Sequence, residues 1–240
     1  MLNMYDEIRS SLHFDKFEFG EMLFVEYTCP IKDDSAGIWT PRDSFIHVLS
    51  GKKSWKTLQR EWTVTEGNTL YVKKGAAIVT QDFDEDFCMI GFFLPDEIIQ
   101  ESLSAVFENL PVISDEKLTQ FTASELQRSD FFDGYFQSML TYFRAKGQPP
   151  DPILKLKIKE LLINIIYNCD DQLLLSYLRS LVENNRPSLT HTMESNFCYN
   201  LKLEEFAKMC HRSLSKFKRD FFNHYNTTPG KWLLNKRNFS

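Results

Sequence analysis

The stretch Leu203-Glu-Glu-Phe-Ala-Lys-Met-Cys-His-Arg-Ser-Leu-Ser-Lys-Phe-Lys-Arg-Asp-Phe-Phe-Asn-His-Tyr225 decides how this chain is read. Leu203, Phe206, Ala207 and Cys210 stand at i, i+3, i+4 and i+7, which is one apolar face of a short helix. His211, Arg212 and Ser213 then make a brief polar turn, with Ser213 placed to cap a second helix. That helix is expected from Leu214 to about Tyr225, with Leu214, Phe217, Phe221 and Tyr225 on its apolar side. Ser215, Lys216, Lys218 and Arg219 fall on the other side. Two short helices joined by so brief a turn have helix-turn-helix spacing, in which the second helix enters the major groove. Beyond them, Asn226 suits a left-handed C-terminal position, and Thr228-Pro229 starts a third helix with a cap and a first-turn proline. Trp232 and Leu233 are expected to pack back under the pair.

Charge separates this end from the rest. The 240 residues carry 28 Lys and Arg against 33 Asp and Glu, a net −5. From Arg186 to Ser240 there are 10 basic and 4 acidic residues, a net +6, which leaves −11 on Met1 to Asn185. An acidic body with a basic end suits a soluble regulatory module joined to something that meets phosphate. Amphipathic helices with a basic face are also common as plain solvated surface, so charge and turn spacing raise the nucleic-acid reading without settling it. The balance of 42% hydrophobic and 25% charged residues excludes a disordered or collagen-like chain, and 21 Phe predict an aromatic core.

Working back toward the N-terminus, two further textures appear. Phe17 to Tyr27, Ser44 to Leu49, Trp55 to Trp62, Thr69 to Val72, Ala76 to Thr80 and Phe87 to Leu94 read as strands, with Gly51, Gly67 and Gly75 at turns needing positive φ. Within the last of these, Met89 to Leu94 reads as a strand buried on both faces. Short antiparallel strands at this spacing predict a small jelly roll or barrel. Helices are expected over Asp96–Asn109, Ser124–Lys146 and Asp171–Val182, and another opens with Asp151 as cap and Pro152 at its first position. The stripe Ile153, Leu154, Leu156, Ile158, Leu161, Leu162 and Ile165 suits either domain core or a dimer face. Asn184 to Ser188 is the expected linker, coinciding with the charge switch.

The order Ser-x-x-x-Phe-x-Arg-x-Phe from Ser213 to Phe221, followed by Pro229 and by Arg237 eight residues later, resembles the first helix-turn-helix of the AraC/XylS family of bacterial transcription regulators. The likeness runs over about Asn200 to Arg237. Phe45-Ile-His-Val-Leu-Ser-Gly-Lys52, Gly67-Asn-Thr-Leu-Tyr-Val-Lys-Lys-Gly75 and Leu154-Lys-Leu-Lys-Ile-Lys-Glu-Leu-Leu162 resemble the cupin-like sensor and helical segment of members such as the type III secretion activators. The resemblance implies an α+β chain: a cupin-like β-barrel sensor over 1–95, a helical dimerisation segment over 96–185 and a partial AraC-type helix-turn-helix DNA-binding domain over 186–240. It places Ser215, Lys218 and Arg219 at base edges. Arg219 has the fork that suits guanine or a phosphate, and Lys218 is a point charge that reaches either. Lys216 and Lys231 are candidate phosphate contacts, which position the protein and do not specify sequence. For Lys231 a solvated charge is an equal alternative.

Two departures from the pattern stand out. Lys202 occupies the position where the family carries a Ser or Thr cap, which predicts a start weaker by about 1 kcal/mol unless Asn200 caps instead. Only three residues follow Arg237, where the family continues into a second helix-turn-helix. The expectation is therefore a regulator truncated after the first unit, weaker on DNA through lost phosphate contacts, with dimerisation partly restoring affinity.

The competing functions are few. A metal-holding cupin enzyme needs clustered His, and the strand region offers only His47, with His13 ahead of it. The sequence thus predicts a non-enzyme without cofactor or metal. A truncated member acting through dimerisation or protein contacts, without tight DNA binding, is the alternative to direct promoter binding. Expected partners are promoter DNA, a second copy of the chain, and an effector or regulatory protein at the N-terminal domain, with no membrane. Five scattered cysteines without C-x-x-C spacing, and an N-terminus without signal-peptide order, predict a cytoplasmic protein.

Overall fold

Alternating apolar residues and punctuating turns produce short strands through the first third of the chain, and 3.6-residue periodicity takes over after Pro95. The computed structural model describes residues 1–28, 35–81, 87–145, 147–183 and 188–238. The strand region holds β1 (Leu2–Asn3), α1 (Met4–Ser10), β2 (Asp15–Phe19), β3 (Met22–Thr28), β4 (Ser35–Thr40), β5 (Asp43–Ser50), β6 (Lys52–Lys56), β7 (Glu61–Thr65), β8 (Thr69–Val72), β9 (Gly75–Gln81) and β10 (Cys88–Leu94). Then come α2 (Asp96–Leu103), a 3-10 turn at Phe107–Asn109, α3 (Asp115–Thr119), β11 (Ala123–Leu126), α4 (Asp130–Arg144), α5 (Asp151–Asn168) and α6 (Gln172–Glu183). The basic end forms α7 (Leu189–Asn196), α8 (Leu203–Met209), α9 (Leu214–Tyr225) and α10 (Pro229–Asn238).

The strands pair as two sheets, ordered β1-β4-β9-β6-β7 and β11-β8-β5-β10-β3-β2. The α+β class is as expected, but closure into a barrel is not seen among the described residues. Closure would require the edges β1 or β7 to pair with β2 or β11, and each of these edge strands has one hydrogen-bonded neighbour. The result is a sandwich. Met89 and Phe93 of β10 point into the layer between the sheets, while Ile90, Phe92 and Leu94 point to the helices, so this strand is buried on both faces as its sequence suggests.

The helices α2, α4, α5 and α6 cover the outer face of the six-stranded sheet and share one core with it. The contact layer is aromatic. Phe92 lies 5.0 Å from Phe24 and 5.7 Å from Phe136, ring centre to ring centre, and His47 stacks on Phe136 at 4.0 Å. Each fully buried Phe stabilises the fold by roughly 1.5–3 kcal/mol relative to exposure. At one end of this layer the buried Asp43 carboxylate accepts from the Tyr71 hydroxyl (2.5 Å), the Tyr177 hydroxyl (2.9 Å) and the Lys74 N–H (2.7 Å). A buried charge is tolerable only when satisfied in this way. Asp43 thereby ties β5 and β8 to α6.

Several boundaries differ from the sequence expectation for physical reasons. The segment from Ser124 begins as β11, paired with β8, and the helix starts only at Asp130, where the Ser129 side chain accepts from the Phe132 N–H. The run Phe17 to Tyr27 is a hairpin of β2 and β3, and Trp55 to Trp62 spans the β6–β7 turn. Asp96–Asn109 yields a helix only to Leu103. Pro150, not Asp151, holds the cap position of α5, leaving Asp151 as a first-turn acid. The α5 stripe divides: Leu154, Ile158, Leu161, Leu162 and Ile165 are core, whereas Ile153 and Leu156 are exposed. Gly51, Gly67 and Gly75 do take positive φ. Of the expected linker, all but Ser188 lies outside the described residues, and Ser188 caps α7 by accepting from the His191 N–H.

Candidate nucleic-acid interface

The helix-turn-helix is built from local signals. At the end of α8, the His211 N–H donates to the Lys208 carbonyl and the Arg212 N–H to the Ala207 carbonyl, both at 3.0 Å. This paired pattern ends a helix with one left-handed residue, and here that residue is His211, at φ 50°. No glycine marks the spot, and an L-residue there costs about 1 kcal/mol. Arg42, on the turn between β4 and β5, reaches over so that its Nη1 lies 3.4 Å from the His211 Nε2. The Ser213 side chain accepts from the Lys216 N–H at 3.3 Å and starts α9. Phe217 and Phe221 face inward, fully buried, and Asn226 closes the helix at φ 51°. Thr228 then accepts from the Lys231 N–H at the start of α10.

The weak cap expected at Lys202 is partly offset. The Glu205 carboxylate accepts from the Lys202 N–H at 2.6 Å, which is half of a capping box, and no Ser or Thr is needed for it. Arg237, known from sequence only as a motif position, has a holding role. Its guanidinium donates to the carbonyls of Phe197 and Tyr199, each at 2.6 Å, and so clamps α10 to the segment after α7.

The predicted base-edge residues Ser215, Lys218 and Arg219 share one exposed face of α9 at helical spacing. Arg219 is 70% exposed, and its Nε stands 3.9 Å from Asp220. Asp220 makes a closer pair, 3.1 Å, with Arg212 from the preceding turn, so the Arg219 fork stays directed to solvent. Lys216 is half-buried beside the cap, and Lys231 is exposed on the first turn of α10. Four of the five residues therefore lie on α9, and Lys231 stands apart on the neighbouring helix. Sequence reasoning passed over Phe222, one turn beyond Arg219 on the same face and 52% exposed. Its signal was available, because a second Phe directly after Phe221 cannot face inward on the same helix.

The back of this unit is docked. Its core takes in Trp39 of β4 and Ala76 of β9. The Asn196 side-chain oxygen accepts from the Ala76 N–H at 2.7 Å. Gly75 makes that approach possible, because a Cβ there would stand 3.0 Å from the same oxygen. In the sandwich, His47 is a core residue: its Nδ1 lies 2.9 Å from the Thr69 hydroxyl, and burial lowers its pKa to about 4. Among the described residues no three His, Cys, Asp or Glu side chains are grouped so as to hold a metal. A small cavity of about 50 Å³ lies between the sheets, next to Ser195 and Asn196 of α7. No described helix is long and apolar enough to cross a membrane.

Comparison with known proteins finds relatives of this chain. The family model described as the ExsA N-terminal regulatory domain matches residues 43–177. The virulence regulon transcriptional activator VirF of Yersinia enterocolitica is 24% identical over 217 residues, covering 90% of this chain and 79% of VirF. The thermoregulatory protein LcrF of Yersinia pestis shows the same identity and coverage. The HTH-type transcriptional regulator ExsA of Pseudomonas aeruginosa is 31% identical over 88 residues, or 37% of this chain and 32% of ExsA. The chain belongs to the family defined by the ExsA N-terminal regulatory domain and is a transcription regulator of the AraC/XylS type.

Proposed function

We propose that α9 lies in the major groove of promoter DNA, with Ser215, Lys218 and Arg219 at base edges and Lys216 and Lys231 at phosphates. The observation that carries this reading is the division of α9 into a buried Phe217/Phe221 face and an exposed, basic Lys218/Arg219 face. In this reading residues 1–95 are the sensor, 96–185 the dimerisation segment and 186–240 the DNA-binding portion. A homodimer would bring two copies of α9 to one duplex, and the exposed Leu156 and Tyr167 on α5 are a suitable contact face. An effector or regulatory protein acts on the N-terminal portion.

A mobility shift on the chain's own upstream DNA tests the reading. Arg219→Ala is expected to weaken binding by about 1–3 kcal/mol while leaving the oligomeric state unchanged. A wild-type chain that binds this DNA no better than a scrambled duplex would remove direct readout.

A further inference from the structure

Three parts of the molecule meet around a cavity of about 480 Å³, and its lining contains no Asp or Glu among the described residues. Lys73 and Lys74, from the turn between β8 and β9, form one wall. His191, on the first turn of α7, forms another, and Arg212, just before α9, and His224, in its last turn, form the third. The cations are not equally satisfied. Lys74 is paired with Asp96, and Arg212 with Asp220. Lys73 instead has no carboxylate partner among the described residues: its Nζ donates to the His191 Nε2 and to the Phe121 carbonyl at 3.3 Å and lies 5.3 Å from the centre of the Tyr177 ring. Asp43, the nearest acid acting on Lys73, is occupied by two tyrosines and a backbone N–H. The N-terminal end of α7 opens into the same space at Ser188 and Thr190, and adds its positive helix end.

We infer that this junction is a binding site for a compact phosphate-bearing anion, which inserts between Lys73 and His191 and contacts Arg212 and His224 from the opposite wall. A tetrahedral phosphate accepts hydrogen bonds from several directions at once, and here donors converge from a strand turn, a helix N-terminus and the helix-turn-helix. A carboxylate on an acyl chain fits less well, because it would use fewer of the converging donors, although Leu118, Leu181 and the Tyr177 ring supply some apolar wall. Burial, reinforced in His191 by the facing lysines, holds the pKa values of both Lys73 and His191 below their ordinary ranges. An anion between them would offset part of that penalty by its charge. Because the walls belong to the sheet turn and to both flanks of α9, occupancy would brace the helix-turn-helix against the sandwich.

The test uses the full chain with inorganic pyrophosphate as probe, at ionic strength held constant with sodium chloride. Thermal unfolding is expected to shift upward and to saturate with pyrophosphate. Lys73→Met is expected to weaken the fitted affinity ~10-fold or more, and the rim variant His224→Gln several-fold. Arg219→Ala, on the DNA face, is expected to keep the shift, which separates this site from the proposed DNA contacts. Should Lys73→Met fail to fold, His224→Gln decides the matter. A shift that chloride alone reproduces, whose fitted affinity is unchanged in His224→Gln, or that disappears in Arg219→Ala would overturn the proposal. A larger shift with butyrate than with pyrophosphate would overturn the phosphate assignment.

Discussion

The sandwich and the helix-turn-helix hold aromatic layers of different depth. In the sandwich, aromatic rings sit between a six-stranded sheet and four helices, and the intruding His47 and Asp43 each have hydrogen-bond partners. In the helix-turn-helix, Phe206, Phe217, Phe221 and Trp232 must serve three short helices and a docking seam at once. Short helices are marginal alone, so their ends are secured by Ser213, Asn226, Thr228 and Arg237. The difference teaches where recognition can reside. Side chains of β10 are committed to packing on both faces, whereas the outer half of α9 is exposed and takes no part in its core.

The sharpest way to break this comparison is to empty the thinner core. Phe221→Ala removes a fully buried ring that touches Phe217, Tyr225 and Trp232, and is expected to cost about 3–5 kcal/mol. Chemical denaturation followed by tryptophan fluorescence checks this, since Trp232 loses its packing first.

A second prediction exploits the buried histidine of the thicker core. The folded pKa of His47, about 4, lies below the unfolded value near 6.5. Between these values the unfolded chain binds more protons, so stability is lost as pH falls through the window. The contribution reaches about 3 kcal/mol at the acid end. Denaturation midpoints measured from pH 7 to 4 are expected to fall less steeply in His47→Gln than in the wild type.

The smallest expected effect concerns the left-handed residue. His211→Gly relieves strain at φ 50° and is expected to stabilise by about 0.5–1 kcal/mol, less whatever the contact with Arg42 contributes. A calorimetric melting temperature unchanged or lowered would mean that the Arg42 contact outweighs the strain.

What the sequence disclosed follows from the range of the interactions involved. The Ser213 cap, the Phe217/Phe221 face, Asn226 and Pro229 act within a turn or two of themselves, and all stand where the sequence places them. Ser124 to Leu126 becomes a strand only because β8 is there to pair with it, some fifty residues earlier, and no local pattern announces that. His211 hides a left-handed turn because the usual glycine is missing. The Arg42–His211 and Asn196–Ala76 contacts join residues 169 and 120 positions apart, beyond the reach of periodicity.

The central claim, that the exposed face of α9 reads base sequence, is tested most directly by specificity and not by affinity. The ratio of affinities for the cognate and a scrambled duplex should be measured for the wild type, Arg219→Ala and Lys216→Ala across a series of salt concentrations. The account predicts that Arg219→Ala collapses the ratio, while Lys216→Ala keeps it and lowers the salt slope by about one. An unchanged ratio in Arg219→Ala would contradict the account.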